Sequence, residues 1–75
     1  MAVKSLNQAS GVRSVERALG LLFELASHPE GIGLQRLAGQ VGCSKSTVHR
    51  LLTTLQGLQV AEQDGRSRLY RPGPR

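Results

Sequence analysis

The sequence predicts a mainly α fold in which three helices are closed by a small two-stranded β-hairpin. Three observations carry that expectation. Apolar residues recur at helical spacing in three separate stretches, which begin after Arg13, after Gly33 and after Ser44. The last stretch gives way to two short runs around Asp64 and Gly65, a hairpin signal. Finally, 39% hydrophobic residues with only 3% aromatic ones call for a small aliphatic core, chiefly leucine, of the kind packed helices provide. At 75 residues the chain holds one small domain, able to bury roughly 60% of its unfolded surface.

Residues 1–11 are small and polar with no apolar period, and read as a flexible arm carrying Lys4. The folded domain is expected over residues 12–74. Its first helix is read from Ser14, a good N-cap, with Glu16 in the positive first turn. Val15, Ala18, Leu19, Leu22, Leu25 and Ala26 line one face, and Leu21 and Phe23 fall at its edges. Pro29, followed by Gly31 and Gly33, ends this helix near Ser27.

The second helix runs from Leu34 through Leu37 and Ala38 to Val41. The third follows Ser44, with Val48, Leu51, Leu52, Leu55 and Leu58 on its apolar side. Only Gly42, Cys43 and Ser44 separate the two: a glycine able to turn left-handed, and a serine able to cap the next helix. That is a helix-turn-helix. Ala38 is the small residue its crossing requires, and Leu37, Val41, Val48 and Leu51 bridge the pair. Residues 60–63 and 68–71 read as the strands of a hairpin, with Arg66 and Ser67 at or beside its tip. Pro72 and Pro74 then break regular structure.

Ten Lys and Arg against five Asp and Glu give a net charge of +5 and a pI near 10.8, which favours a polyanionic partner, nucleic acid before an anionic membrane. The charge is unevenly spread. Residues 14–30 set Arg17 against Glu16, Glu24 and Glu30, whereas residues 31–58 hold Arg36, Lys45 and Arg50 and no acid. With its apolar side committed to the core, the third helix offers Lys45, Ser46, Thr47, His49, Arg50, Thr53 and Thr54, a face suited to base edges and phosphates of a major groove. Ser46, Thr47 and Arg50 are the expected base-edge contacts and Lys45 a phosphate contact. Arg66 and Arg68 are expected on phosphate or in the minor groove, and His49 and Thr53 complete the set.

Other classes find little support. The lone Cys43 forms no internal disulfide, and with His28 and His49 it offers no zinc spacing. No catalytic constellation or phosphate-cradling glycine loop is found, so the chain reads as a non-enzyme without cofactor. No apolar stretch reaches membrane-span length and the first ten residues lack a secretory core, which leaves the cytoplasm as the expected compartment. Phe23 and Tyr70 are the only aromatics, too few for the stacking platforms of RNA or single-strand binders. The rival that remains is a protein-contact module of the same fold, which would not need an acid-free basic helix.

With these residues in view, the chain resembles the amino-terminal domain of the IclR-type transcriptional regulators over about residues 12–74. The resemblance rests on Val-Arg-Ser-Val-Glu-Arg-Ala-Leu at 12–19, on Leu37 and Ala38, on Ser-Lys-Ser-Thr-Val-His-Arg-Leu-Leu at 44–52, and on Tyr-Arg-Pro-Gly at 70–73. It implies a winged helix-turn-helix that binds double-stranded operator DNA as a homodimer or higher oligomer, with residues 45–50 as the reading segment. It also implies a small-molecule effector bound by a larger domain that these 75 residues do not include. One departure is Pro72, where the family more often carries leucine, and it bears on where the second wing strand ends. The domain alone is expected to associate weakly, with Leu21 and the residues before Ser14 as contributors to any dimer.

Overall fold

The computed structural model describes the backbone of residues 10–75 and the side chains from Arg13 onward. Of the expected arm, residues 1–9, Lys4 among them, lie outside the described residues. Three helices, α1 (Ser10–Ser27), α2 (Leu34–Val41) and α3 (Lys45–Gly57), precede two strands, β1 (Ala61–Gln63) and β2 (Tyr70–Pro72), paired antiparallel. The α1 helix crosses α2, α3 and β2, so one core serves every element.

The first helix starts four residues before the expected N-cap. Ser14 lies inside it, exposed, and Glu16 falls beyond the first turn. Nothing between Ser10 and Ser14 stops a helix, and extending an existing one adds a hydrogen bond for each residue fixed. The buried face also differs from the expected one. Leu21 and Leu25 are fully buried, with Ala18 and Leu22 packed beside them, whereas Val15, Leu19 and Phe23 are 58%, 47% and 69% exposed. Leu21 is thus a central core residue rather than an edge one, and it is withdrawn from any partner's reach. The helix ends at Ser27; the His28 N–H returns to the Leu25 carbonyl (3.0 Å), and its Nδ1 donates to the Glu24 carbonyl (2.8 Å).

The helix-turn-helix forms as local chemistry dictates. Gly42 adopts φ 70°, and its N–H and that of Cys43 (3.1 Å) close on the Ala38 carbonyl. Ser44 caps α3, its Oγ accepting from the Thr47 N–H at 3.2 Å, an arrangement whose loss typically costs about 1 kcal/mol. Leu37, Ala38, Val48, Leu52 and Leu55 are buried between the two helices and α1. Leu58, expected on the apolar side of α3, is 60% exposed. Leu58 is the C-cap residue, its N–H still bonded to the Thr54 carbonyl (3.1 Å), and the chain then turns away as Gln59 takes the left-handed conformation at φ 66°.

The wing is broader than a two-residue hairpin. Its strands are 61–63 and 70–72, in register Ala61 with Pro72, Glu62 with Arg71 and Gln63 with Tyr70. Asp64 and Gly65 do not make the turn alone. The Asp64 carboxylate accepts from the Arg66 N–H (3.0 Å) and the Ser67 N–H (2.7 Å), and Arg68, not Gly65, takes the left-handed conformation at φ 66°. These hydrogen bonds, that to Ser67 above all, hold the Asp64 carboxyl below its ordinary pKa of 3.8. A depressed folded-state pKa means the stabilisation is complete above pH 3.8 and is lost as the pH falls through the folded value. Amide resonances of Arg66 and Ser67 are therefore expected to titrate with a midpoint below 3.8. A midpoint at or above it would contradict this turn.

Pro72 ends up inside β2 and does no harm there. Tyr70 exchanges both backbone hydrogen bonds with Ile32 (2.8 Å each), while the Gly73 N–H reaches the Val60 carbonyl (3.1 Å). Alternation then turns position 72 away from β1, so the missing proline N–H removes no bond from the β1–β2 ladder. Gly73 is the more constrained residue. A Cβ there would lie 2.5 Å from the Gln59 oxygen and 2.8 Å from the Ala61 nitrogen, both backbone. Gly73→Ala is expected to cost about 1–3 kcal/mol, read as a lowered urea midpoint. An unchanged midpoint would show that the crossing strands yield freely.

Candidate nucleic-acid interface

The outward side of α3 follows from its inward one. With Val48, Leu52 and Leu55 buried and Leu51 packed against them, the helical period turns Ser46, Arg50 and Thr53 directly to solvent. Thr47 and Thr54 lie on one flank of that line, and His49 and Lys45 on the other. All are exposed except Thr47, which is half-buried by its place in the cap. The expected residues of α3 thus share a single continuous face.

Their hydroxyl groups are not equivalent. Ser44 Oγ donates to Thr47 Oγ1 at 2.9 Å, leaving the Thr47 proton free to donate outward. Thr53 Oγ1 instead donates to the His49 carbonyl at 2.9 Å, so toward a ligand it can only accept. Ser46 Oγ lies 3.3 Å from Ser44 Oγ and, with the Ser44 proton given to Thr47, is the donor in that contact and an acceptor toward a ligand. A donor near the start of the helix and an acceptor nearly two turns later are what mixed base edges require.

A concavity lies on each flank. Ser14, Thr47, Arg50, Leu51 and Thr54 line a pocket of about 230 Å³ between α1 and α3. On the other flank, Gln35, His49, Gln63, Ser67, Arg68 and neighbouring apolar groups line one of about 400 Å³ between the start of α2, α3 and the wing. Arg68 is thereby brought beside His49. Arg66 stands farther along the same loop, exposed, and does not line this pocket.

Positive charge is uncompensated here. The wing acids are both engaged: Glu62 accepts from Arg71 Nε at 2.7 Å and Asp64 binds its own loop. Among the described residues, Arg66, Arg68, Lys45 and Arg50 take part in no salt bridge. By contrast, the α1–α2 depression lined by Arg13, Glu16, Arg17 and Glu24 mixes both signs. Ser14, Gln35, Gln63 and Ser67 were absent from the sequence-based set, and Thr54 was seen on the face without a role. Only the approach of α1, α2 and the wing to α3 brings these residues in, and no local signal reports that approach.

Other chemistry has little to work with. Among the described residues no group of three or more His, Cys, Asp and Glu side chains is placed to hold a metal ion. No helix of the described residues is long and apolar enough to cross a membrane.

Comparison with known proteins gives a consistent answer. The IclR helix-turn-helix domain model matches residues 14–65. The HTH-type transcriptional regulator TtgV of Pseudomonas putida is 32% identical over 71 residues, 95% of this chain and 27% of its own length. The regulator KdgR of Escherichia coli is 40% identical over 63 residues, 84% of this chain and 24% of its own. The crystal structure of Pseudomonas aeruginosa HmgR superposes with a TM-score of 0.74 at 37% identity, covering 83% of this chain and 26% of that one. An IclR transcriptional regulator from Alicyclobacillus acidocaldarius gives the same TM-score at 33% identity, over 83% of this chain and 25% of its own. The chain therefore spans about a quarter of the length of these relatives.

Proposed function

Because the chain belongs to the IclR family of helix-turn-helix domains, we propose that it binds duplex DNA sequence-specifically as the reading head of a bacterial transcriptional regulator. The observation that carries this is the acid-free outward face of α3, flanked by the basic wing. The helix enters the major groove. Ser46, Thr47 and Arg50 meet base edges, Lys45 meets phosphate at the helix start, and His49 and Thr53 supplement them. Arg66 and Arg68 reach the backbone or the adjacent minor groove.

In the intact regulator two copies would sit on half-sites about one helical turn apart. A small-molecule effector would act through the part of its relatives that this chain does not span. The setting would be the cytoplasm, on the nucleoid. The alternative of a protein-contact module gains nothing from the geometry, since such a module has no use for four arginines and lysines without acidic partners around one helix.

A salt titration tests the reading. Binding to a mixed-sequence duplex between 50 and 200 mM salt should fall with a log–log slope of about −0.9 for each phosphate neutralised, and a single strand of equal length should bind more weakly. Salt-insensitive binding, or none at concentrations suited to nonspecific association, would reverse the choice between DNA and protein contact.

A further inference from the structure

A helix lying in the major groove has a phosphodiester backbone on each side of it. The α3 helix has a concavity on each side of its reading line. The one on the wing side holds Arg68 and His49 and belongs to the contacts already assigned. The one on the α1 side has no assigned role. Its walls are three hydroxyl groups, Ser14, Thr47 and Thr54, the Arg50 side chain, and Leu51 at its base. No acid lines it.

We infer that this α1–α3 pocket is a seat for one backbone phosphate of the bound duplex, and that Ser14 is a DNA-positioning residue. The inference rests on the DNA-binding reading and extends it to a helix outside the helix-turn-helix. The chemistry is that of a phosphate oxyanion. Thr47 has its hydroxyl proton free, because its oxygen already accepts from Ser44. Thr54 is held by only a long 3.4 Å contact to the Arg50 carbonyl and is able to turn outward. Ser14 is exposed and lines the pocket. Arg50 supplies the charge. Two or three hydroxyl donors beside a guanidinium suit a phosphodiester, with Thr47 and Arg50 standing between this seat and the base edges assigned to them.

The seat also gives a role to an exposed serine of α1. Ser14 sits within α1, exposed and outside the buried core, and serine is a poorer helix former than alanine. On another side of the same helix, the depression lined by Arg13, Glu16, Arg17 and Glu24 mixes both signs, whereas no acid lines the α1–α3 pocket.

The experiment is a charge scan at position 14. Ser14 is exposed, so Ser14→Lys and Ser14→Glu should both fold, as circular dichroism will report. Each is compared with the parent and with Ala26→Lys, a charge added to an exposed position elsewhere on α1. With a mixed-sequence duplex, Ser14→Lys should steepen the salt slope by about one and tighten binding several-fold beyond Ala26→Lys. Ser14→Glu should weaken binding at least tenfold, and Arg50→Ala should blunt both effects. If Ser14→Lys and Ala26→Lys act alike, or Ser14→Glu binds as the parent does, the seat is overturned while DNA binding stands. If the parent itself shows no salt-sensitive duplex binding, both fall. Inorganic phosphate should displace duplex no better than chloride at equal ionic strength; stronger displacement would assign the pocket to a free phosphate and overturn the backbone role.

Discussion

Replacing Leu21 by alanine is expected to lower the stability of the domain by about 2–5 kcal/mol. Leu21 is fully buried where α1 meets α2, α3 and β2, so truncation opens a cavity that three elements would have to close together. A domain of this size has about 0.05–0.15 kcal/mol per residue in hand, so the variant should be largely unfolded or close to it at 37 °C. Leu19→Ala, two residues away and 47% exposed, should shift the urea midpoint only slightly. The pair is best measured side by side at equal denaturant m-values. Equal losses would mean that the buried face of α1 is wrongly identified.

That pair also shows where the sequence is readable and where it is not. Between Val15 and Ala26 the first helix carries apolar residues on nearly every side, so the set 15, 18, 19, 22, 25, 26 and the set 18, 21, 22, 25 fit a helical period equally well. Which set turns inward depends on the direction from which α2, α3 and β2 arrive, and that is information the helix does not contain. The third helix poses no such ambiguity. Val48, Leu52 and Leu55 have only polar residues opposite them, so both its buried side and its outward face follow from spacing alone. The turn between α2 and α3 is legible for a different reason: Gly42 and Ser44 act on their own backbone neighbours.

The wing lies between these cases. A hairpin at 60–71 is visible from Asp64 and Gly65, but the loop that forms depends on how the Asp64 side chain competes for the Arg66 and Ser67 amides. Its anchoring depends on Ile32, a residue of the α1–α2 connection that pairs with Tyr70 across 38 positions of sequence. The same division runs through the site. Lys45, Ser46, Thr47, His49, Arg50 and Thr53 share one helix and could be read together. Ser14, Gln35 and Ser67 join them only through tertiary contact.

Within that face, Arg50 and Lys45 should fail in different ways when removed. Arg50 stands at the centre of the solvent line of α3, where a guanidinium can reach base acceptors in a pair of hydrogen bonds. Against a duplex selected from a random pool, Arg50→Ala is expected to lose about 1–3 kcal/mol of binding, roughly 5- to 150-fold, and to relax preference at one or two base positions. Lys45 lies at the start of the helix, which the proposed docking puts beside the groove wall rather than over its floor. Lys45→Ala should weaken selected and unselected duplexes alike and reduce the magnitude of the salt slope by about one, leaving sequence preference intact. The double variant should lose nearly the sum, because Arg50 lies at the centre of that face, Lys45 on its flank, and the two share no partner. If instead Arg50→Ala kept full preference and Arg66→Ala or Arg68→Ala abolished it, the wing would be the reader and α3 the positioning element. The charge distribution would be unchanged, but the roles of the two elements would be exchanged.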